Sequence, residues 1–229
     1  MQIFLDSADY GEIEKGLRQG VIDGLTTNPS IMFKDGAYDL EERARALCQL
    51  LNPRPVSVEV TTNDNEGMLQ QARLFAHWAE NVVVKIPIVN ERGESCLEVI
   101  NTLAREAVAV NATAILSFNQ AILATKAGAT YVSIFAGRVA DEGNDPSIVI
   151  RNVRTWLQEW NRPARIIVGS IRTTMDIQNA ALAGAHIVTI PPQFLPKMVD
   201  HKYSRETVRQ FNQDAARALN QVAHAKRAG

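Results

Sequence analysis

Apolar positions along this chain fall into two alternating rhythms. Short runs rich in valine, isoleucine and threonine occur at Gln2–Leu5, Gly24–Thr27, Val56–Val60, Val82–Ile86, Val108–Ala114, Tyr131–Ala136, Arg165–Ser170 and His186–Ile190. Apolar residues on consecutive positions predict strands buried on both faces, as in a parallel sheet. Between the runs lie stretches with apolar residues three and four apart, such as Asp39–Leu51, Asn65–Ala79, Glu94–Arg105 and Ser147–Trp160. That spacing predicts helices with one buried face. Asp64 is placed to cap one of them, and Asp145-Pro146 opens another with a cap followed by proline at the first position. Lys126-Ala127-Gly128-Ala129-Thr130-Tyr131 and Leu182-Ala183-Gly184-Ala185-His186 each read as a helix ending at glycine and passing at once into a strand.

Eight strand–helix units in 229 residues predict an α/β protein with a (β/α)8 barrel fold. The expected organisation is one barrel domain over residues 1–229, with 204–225 an extra C-terminal helix. The competing architecture, an open doubly wound sheet, usually carries a glycine-rich loop after its first strand. Here that loop is Asp6-Ser7-Ala8-Asp9, without glycine.

Composition narrows the function classes. Apolar residues make up 46% of the chain and charged residues 21%, which suits a sizeable core and argues against disorder. A formal net charge of -1 provides no general attraction to nucleic acid or anionic membranes. No stretch has the apolar length of a membrane span, and Met1–Asp6 lacks the basic and apolar regions of a signal peptide. Cys48 and Cys96 are far apart, and His77, His186, His201 and His224 lack metal-ligand spacing. No metal, cofactor or disulfide is therefore expected, and a reducing cytoplasm is the expected location.

The chemistry-bearing residues gather at one end of the predicted strands. Lys85 lies in Val82-Val83-Val84-Lys85-Ile86-Pro87, where a lysine is out of place unless something there needs it. An amine taken out of water holds its proton less firmly, and a neutral amine condenses with carbonyls to a Schiff base. The bland alternative is a solvated or carboxylate-paired lysine. Catalytic groups of a barrel come from the C-terminal strand ends and the loops beyond. Those ends carry Asp6; Thr26, Thr27 and Asn28; Glu59; Lys85; Asn111 and Thr113, with Ser117 beyond; Ser133, Phe135 and Arg138; and Ser170 and Arg172. The eighth strand, ending in Thr189-Ile190-Pro191-Pro192, delivers little polar chemistry on this reading.

Each residue also has an ordinary explanation. Asp6 suits a helix cap, Thr26 and Thr27 suit a strand, and Glu59 could merely neutralise Lys85. Asn111 and Thr113 could satisfy each other, and the arginines could pair with surface acids. The recurrence on seven consecutive strands is what those explanations leave out. A lysine iminium is an electron sink for cleaving a ketose C3–C4 bond, which needs carboxylates for the proton transfers. Asp6 and Glu59 suit that task, Thr113 can orient a water beside Glu59, and Asn28, Asn111 and Ser133 can bond sugar hydroxyls. Arg138, Ser170 and Arg172 come from late strands, where barrels often bind phosphate.

The chain resembles the transaldolase family, specifically its short-chain branch with the fructose 6-phosphate aldolases, over nearly its whole length. The resemblance is carried by Phe4-Leu5-Asp6-Ser7-Ala8, Gly24-Leu25-Thr26-Thr27-Asn28-Pro29-Ser30, Val84-Lys85-Ile86-Pro87, Asn111-Ala112-Thr113, Ser133-Ile134-Phe135-Ala136-Gly137-Arg138 and Ser170-Ile171-Arg172. It implies Lys85 as Schiff-base lysine and Asp6 as the acid/base for the C4 hydroxyl. It also implies Glu59 and Thr113 as holders of a catalytic water. Thr27, Asn28, Asn111, Ser133 and Phe135 would lie on the substrate side, with Arg138, Ser170 and Arg172 at its phosphate. Sugar phosphates are the implied substrates, and homo-oligomers, pentamers or decamers, the implied assembly, the C-terminal helix reaching a neighbouring subunit.

The aldolases of this family resemble the transaldolases but carry Gln at the position of Glu59 and Tyr at that of Phe135, so both positions here are of the transaldolase type. The chain departs from the usual pattern at Ile134, Ala136, Ala112, Ala114 and the tail Val199–Ser204. The resemblance implies a transaldolase; the alternatives are an aldolase releasing free dihydroxyacetone, a transaldolase for an unusual sugar phosphate, and a non-catalytic sugar-phosphate binder.

Overall fold

The β-branched runs form eight parallel strands because each is covered on both sides, by helices outside and by the other strands' side chains inside. A computed structural model describes residues 1–228. Met1–Pro192 form one compact unit with the order β1 (Gln2–Asp6), α1 (Tyr10–Arg18), β2 (Gly24–Thr26), α2 (Pro29–Lys34), α3 (Leu40–Leu51), β3 (Val56–Glu59), α4 (Asn65–Ala76), β4 (Val82–Pro87), α5 (Leu97–Arg105), β5 (Val110–Ile115), α6 (Phe118–Lys126), β6 (Tyr131–Phe135), α7 (Ala136–Asp141), α8 (Pro146–Glu159), β7 (Arg165–Gly169), α9 (Thr174–Leu182) and β8 (Ile187–Ile190). Each strand pairs in parallel with the next, and β8 pairs with β1, so the sheet closes. This is the (β/α)8 barrel, and closure excludes the open doubly wound sheet.

A second compact unit begins at Gln193 and holds α10 (Phe194–Val199) and α11 (Lys202–Ala228). The long helix expected at 204–225 is thus present and starts two residues earlier. No described helix is long and apolar enough to cross a membrane. No group of three or more His, Cys, Asp or Glu suited to a metal occurs among the described residues.

Alternation along the strands sorts the barrel interior by depth. Phe4, Val83, Tyr131, Ile167 and Ile187, with Ala109, form an apolar cluster. A fully buried side chain of this size is worth about 1.5–3 kcal/mol, so this cluster plugs the interior firmly. The Phe4 ring needs Gly24 beside it, since a Cβ there would lie 2.6 Å from the ring. Two residues further along, the inward positions of six strands turn polar: Asp6, Thr26, Lys85, Asn111, Ser133 and Thr189. The sequence period of two thus places one polar layer on an apolar floor.

The predicted caps hold. Asp64 accepts from the Gly67 N–H at 2.7 Å and Asp145 from the Ser147 N–H at 2.8 Å. Gly128 and Gly184, at φ of 103° and 91°, end α6 and α9. Boundaries differ where local bonds override periodicity. The helix expected from Glu94 starts at Leu97, because the Asn90 side chain accepts from the Arg92 and Glu94 N–H groups and holds a turn. The strand expected over 108–114 spans Val110–Ile115 and bulges between Ala112 and Ile115, with Ala114 left-handed at φ 57°. Alternation puts Thr113 on the inward face with Asn111, and the extra residue at Ala114 then turns Ile115, paired with Ile134, to the outer apolar layer.

Candidate active site

Lys85 is 4% exposed, and its ammonium donates to the Thr27 carbonyl at 2.8 Å and faces Glu59 Oε2 at 2.9 Å. The strand pairing puts Glu59 directly beside Lys85, and Lys85 beside Asn111. Glu59 does neutralise the lysine, as its ordinary explanation required, but it does so from a partly open position at the end of β3. A buried ammonium is tolerated only with such partners. Thr27 is anchored in turn by its hydroxyl, which donates to the Ser57 carbonyl at 2.8 Å.

Asp6 is not a helix cap; Asp9 performs that role for α1. Asp6 instead accepts from the Thr26 hydroxyl at 2.8 Å. Burial pushes its carboxyl above the ordinary range, against the opposing pull of Lys85 and Thr26, while Glu59 and Asp35 add to the upward shift. A carboxyl tuned this way accepts and returns a proton more readily near neutral pH than a solvated aspartate does.

Asn111 and Thr113 do not satisfy each other. Ser133 donates to the Asn111 carbonyl oxygen at 2.7 Å, and the Asn111 amide donates to the Ser57 hydroxyl at 3.1 Å. Thr113, 1% exposed, keeps a hydroxyl with no partner among the described residues. Such a group is costly in a finished core, and its free valence suits a water or substrate atom.

A cavity of about 200 Å³ opens on this layer, lined by Asp6, Thr26, Asn28, Lys85, Ser133, Phe135, Arg138, Gly169, Ser170 and Thr189. Asn28 does two jobs. Its side-chain oxygen caps α2 by accepting from the Ile31 N–H at 2.9 Å, and its amide stays available to the cavity. Ser117 caps α6 with a capping box and does not line the cavity. Thr189 corrects the reading of the eighth strand as chemically quiet: it lines the cavity and shares a short hydroxyl–hydroxyl contact with Thr26. Its β-propensity hid it in sequence, and only the period-two register with Ile187 could have marked it as inward. Ser57, likewise outside the sequence-derived set, supports both Thr27 and Asn111.

The late-strand groups are arranged unequally. Arg138 lines the cavity and is solvent-exposed. Ser170, left-handed at φ 59°, accepts from the Gly137 N–H through its carbonyl at 3.1 Å. Gly137 permits this approach, since a Cβ there would stand 2.3 Å from that oxygen. Arg172 lies beside Gly137 but does not line the cavity; both terminal nitrogens bind the Asp141 carboxylate. A surface acid was its ordinary explanation, and the structure provides one.

The profile described as Transaldolase/Fructose-6-phosphate aldolase matches residues 3–228. The chain belongs to this family. Among its relatives are the probable transaldolase of Dehalococcoides mccartyi, 41% identical over 214 residues that cover 93% of this chain and 97% of the relative. The probable transaldolase 2 of Listeria monocytogenes is 40% identical over 214 residues, covering 93% and 95%. A solved mandelate oxidase variant with a monooxide FMN adduct shares the fold, with a TM-score of 0.56 and 14% identity over 83% of this chain. The chain spans about 64% of that protein, and at this identity the likeness concerns the barrel alone.

Proposed function

We propose that the protein is a transaldolase that moves a dihydroxyacetone unit from a ketose phosphate, such as sedoheptulose 7-phosphate or fructose 6-phosphate, to an aldose phosphate. The observation that carries this reading is the Lys85 amine, buried under the cavity between the Glu59 carboxylate and the Thr27 carbonyl. In this reading the amine attacks the ketose C2 carbonyl, and the carbinolamine oxygen leaves as water after protonation. Glu59, with a water oriented by Thr113, handles those protons. Asp6 then takes the C4 hydroxyl proton, the C3–C4 electron pair moves into the iminium, and an aldehyde departs. The enamine left on Lys85 attacks a second aldehyde, Asp6 returns the proton, and water releases the new ketose. Arg138 and Ser170 are suited to the phosphate, and Asn28 and Ser133 to the hydroxyls, with Asn111 holding Ser133 in place.

Phe135 on the cavity wall favours transfer over release. Its ring has no acidic proton to quench the enamine, which then waits for an acceptor aldehyde. The aldolase reading predicts free dihydroxyacetone in the absence of acceptor. By family resemblance we also infer a homo-oligomer, pentamer or decamer, and a cytoplasmic location.

Borohydride added with fructose 6-phosphate should leave a reduced three-carbon or six-carbon adduct on Lys85, found by peptide mass mapping. An unlabelled Lys85 would sink the mechanism. Product formation that ignores erythrose 4-phosphate would replace transfer by simple cleavage. Binding of sugar phosphate without turnover on any acceptor would identify a binder instead.

A further inference from the structure

Two arginines, one on the cavity wall and one just outside it beside Gly137, are in different states. Arg138 lines the cavity and has no ion-pair partner within 4 Å among the described residues. Arg172 has its two terminal nitrogens on the two oxygens of Asp141, a bidentate pair. Asp141 ends α7, the short helix that carries Arg138, and Arg172 crosses the start of that helix next to Gly137.

We propose that Asp141 sets the affinity of the anion site: it is the built-in counter-ion of Arg172, holding that side chain until a substrate phosphate displaces it. This rests on the sugar-phosphate reading above. The side chains of Arg172 and Asp141 are 50% and 42% exposed, so the pair is a surface one and worth little against a competing dianion. A phosphate oxygen pair matches the guanidinium fork as well as a carboxylate does. Hydrogen bonding from Arg172, helped by the nearby charges of Arg172 and Arg138, holds the Asp141 carboxyl below the usual range, so it is ionised at neutral pH. Asp176 adds a second negative group, its carboxylate accepting from the Arg172 and Thr173 N–H groups. Two cations face two carboxylates, and an uncharged substrate would meet no strong field there. A dianion gains Arg172 only by breaking the Asp141 pair, and it is repelled by Asp141 until it does.

Asp141 acts through Arg172, so it is a positioning residue. The test is calorimetric titration of inorganic phosphate into the wild-type protein, Asp141→Ala, Arg172→Met and the double variant. Asp141→Ala should bind phosphate about 2- to 5-fold tighter, the equilibrium equivalent of an exposed ion pair. Its KM for fructose 6-phosphate should fall by a similar factor, with the change in KM rather than kcat, and unphosphorylated fructose should show no such change. In the Arg172→Met background the Asp141 effect should vanish, which separates coupling from a general charge effect. Unchanged or weaker phosphate binding by Asp141→Ala would overturn the proposal and make Asp141 a brace. An equal change for fructose would also overturn it. Phosphate binding needs no Lys85 chemistry, so a failed borohydride trap and a failed titration are separate results.

Discussion

Replacing Thr113 by valine tests the polar layer where its economy is oddest. Valine keeps the shape of threonine and removes only the hydroxyl, which has no partner among the described residues in a side chain 1% exposed. An unsatisfied buried polar group costs about 1–3 kcal/mol. Part of that cost is recovered where a water reaches the hydroxyl, so Thr113→Val should be more stable by about 1 kcal/mol. For a domain of this size that is a rise of roughly 2–4 °C in Tm, read by scanning calorimetry. Turnover should move the other way. Proton transfer by a positioned side chain contributes about 100- to 10,000-fold. Thr113 acts through a water, so the loss should lie near the lower bound, about 100-fold in kcat. Thr113→Ser keeps the hydroxyl and should stay close to wild type in rate. Borohydride trapping on Lys85 should slow in Thr113→Val in step with kcat. A valine variant that melts several degrees lower would show that the hydroxyl has a stabilising partner in the folded protein. One that keeps full kcat would show that it has no catalytic task.

Three further outcomes follow from the same geometry. Asp6→Asn keeps an acceptor for Thr26 and removes a carboxyl whose folded pKa is raised, a stability contribution present at low pH and lost as pH rises through the folded value. The variant should therefore gain on wild type as pH rises above the ordinary carboxylate range, while kcat falls about 100- to 10,000-fold and trapping stalls at the six-carbon adduct. Gly137→Ala sets a Cβ against the Ser170 carbonyl and should cost about 1–3 kcal/mol by denaturant melts, with KM for phosphorylated donors rising as Ser170 and Arg172 shift. His186, pulled down to about 4 by burial and by the charges of Arg154, Arg165 and the N-terminus, accepts from the Ile166 N–H. Stability should fall as pH drops from about 6.5 to about 4. The full shift corresponds to about 3 kcal/mol, cut by partial exposure to about 1–2 kcal/mol. His186→Asn should flatten that limb of the stability–pH curve, and an unchanged limb would place the titration elsewhere.

The barrel, the lysine and most of the polar layer were legible in sequence for physical reasons. Consecutive β-branched runs have no use outside a doubly covered sheet, and a lysine among them needs a partner. The period of two then assigns Asp6, Glu59, Lys85, Asn111, Thr113 and Ser133 to one face. Local caps were legible too, because Asp64 and Asp145 act on N–H groups only two or three residues away.

What only the tertiary structure decided concerns partners distant in sequence. Thr26 meets Thr189 across the closure of the barrel, 163 residues apart, so the eighth strand is part of the site. Ile115 turns to the outer face through a bulge at Ala114, a left-handed position that propensity does not announce in an alanine. Arg172 is taken by Asp141, 31 residues away, while Arg138 is left to the cavity. A chain's own alternation determines which way each side chain points. Which groups meet, and which is left with a free valence, depends on how strands far apart in sequence are placed side by side. On that placement depends whether Lys85 is merely buried or set to react.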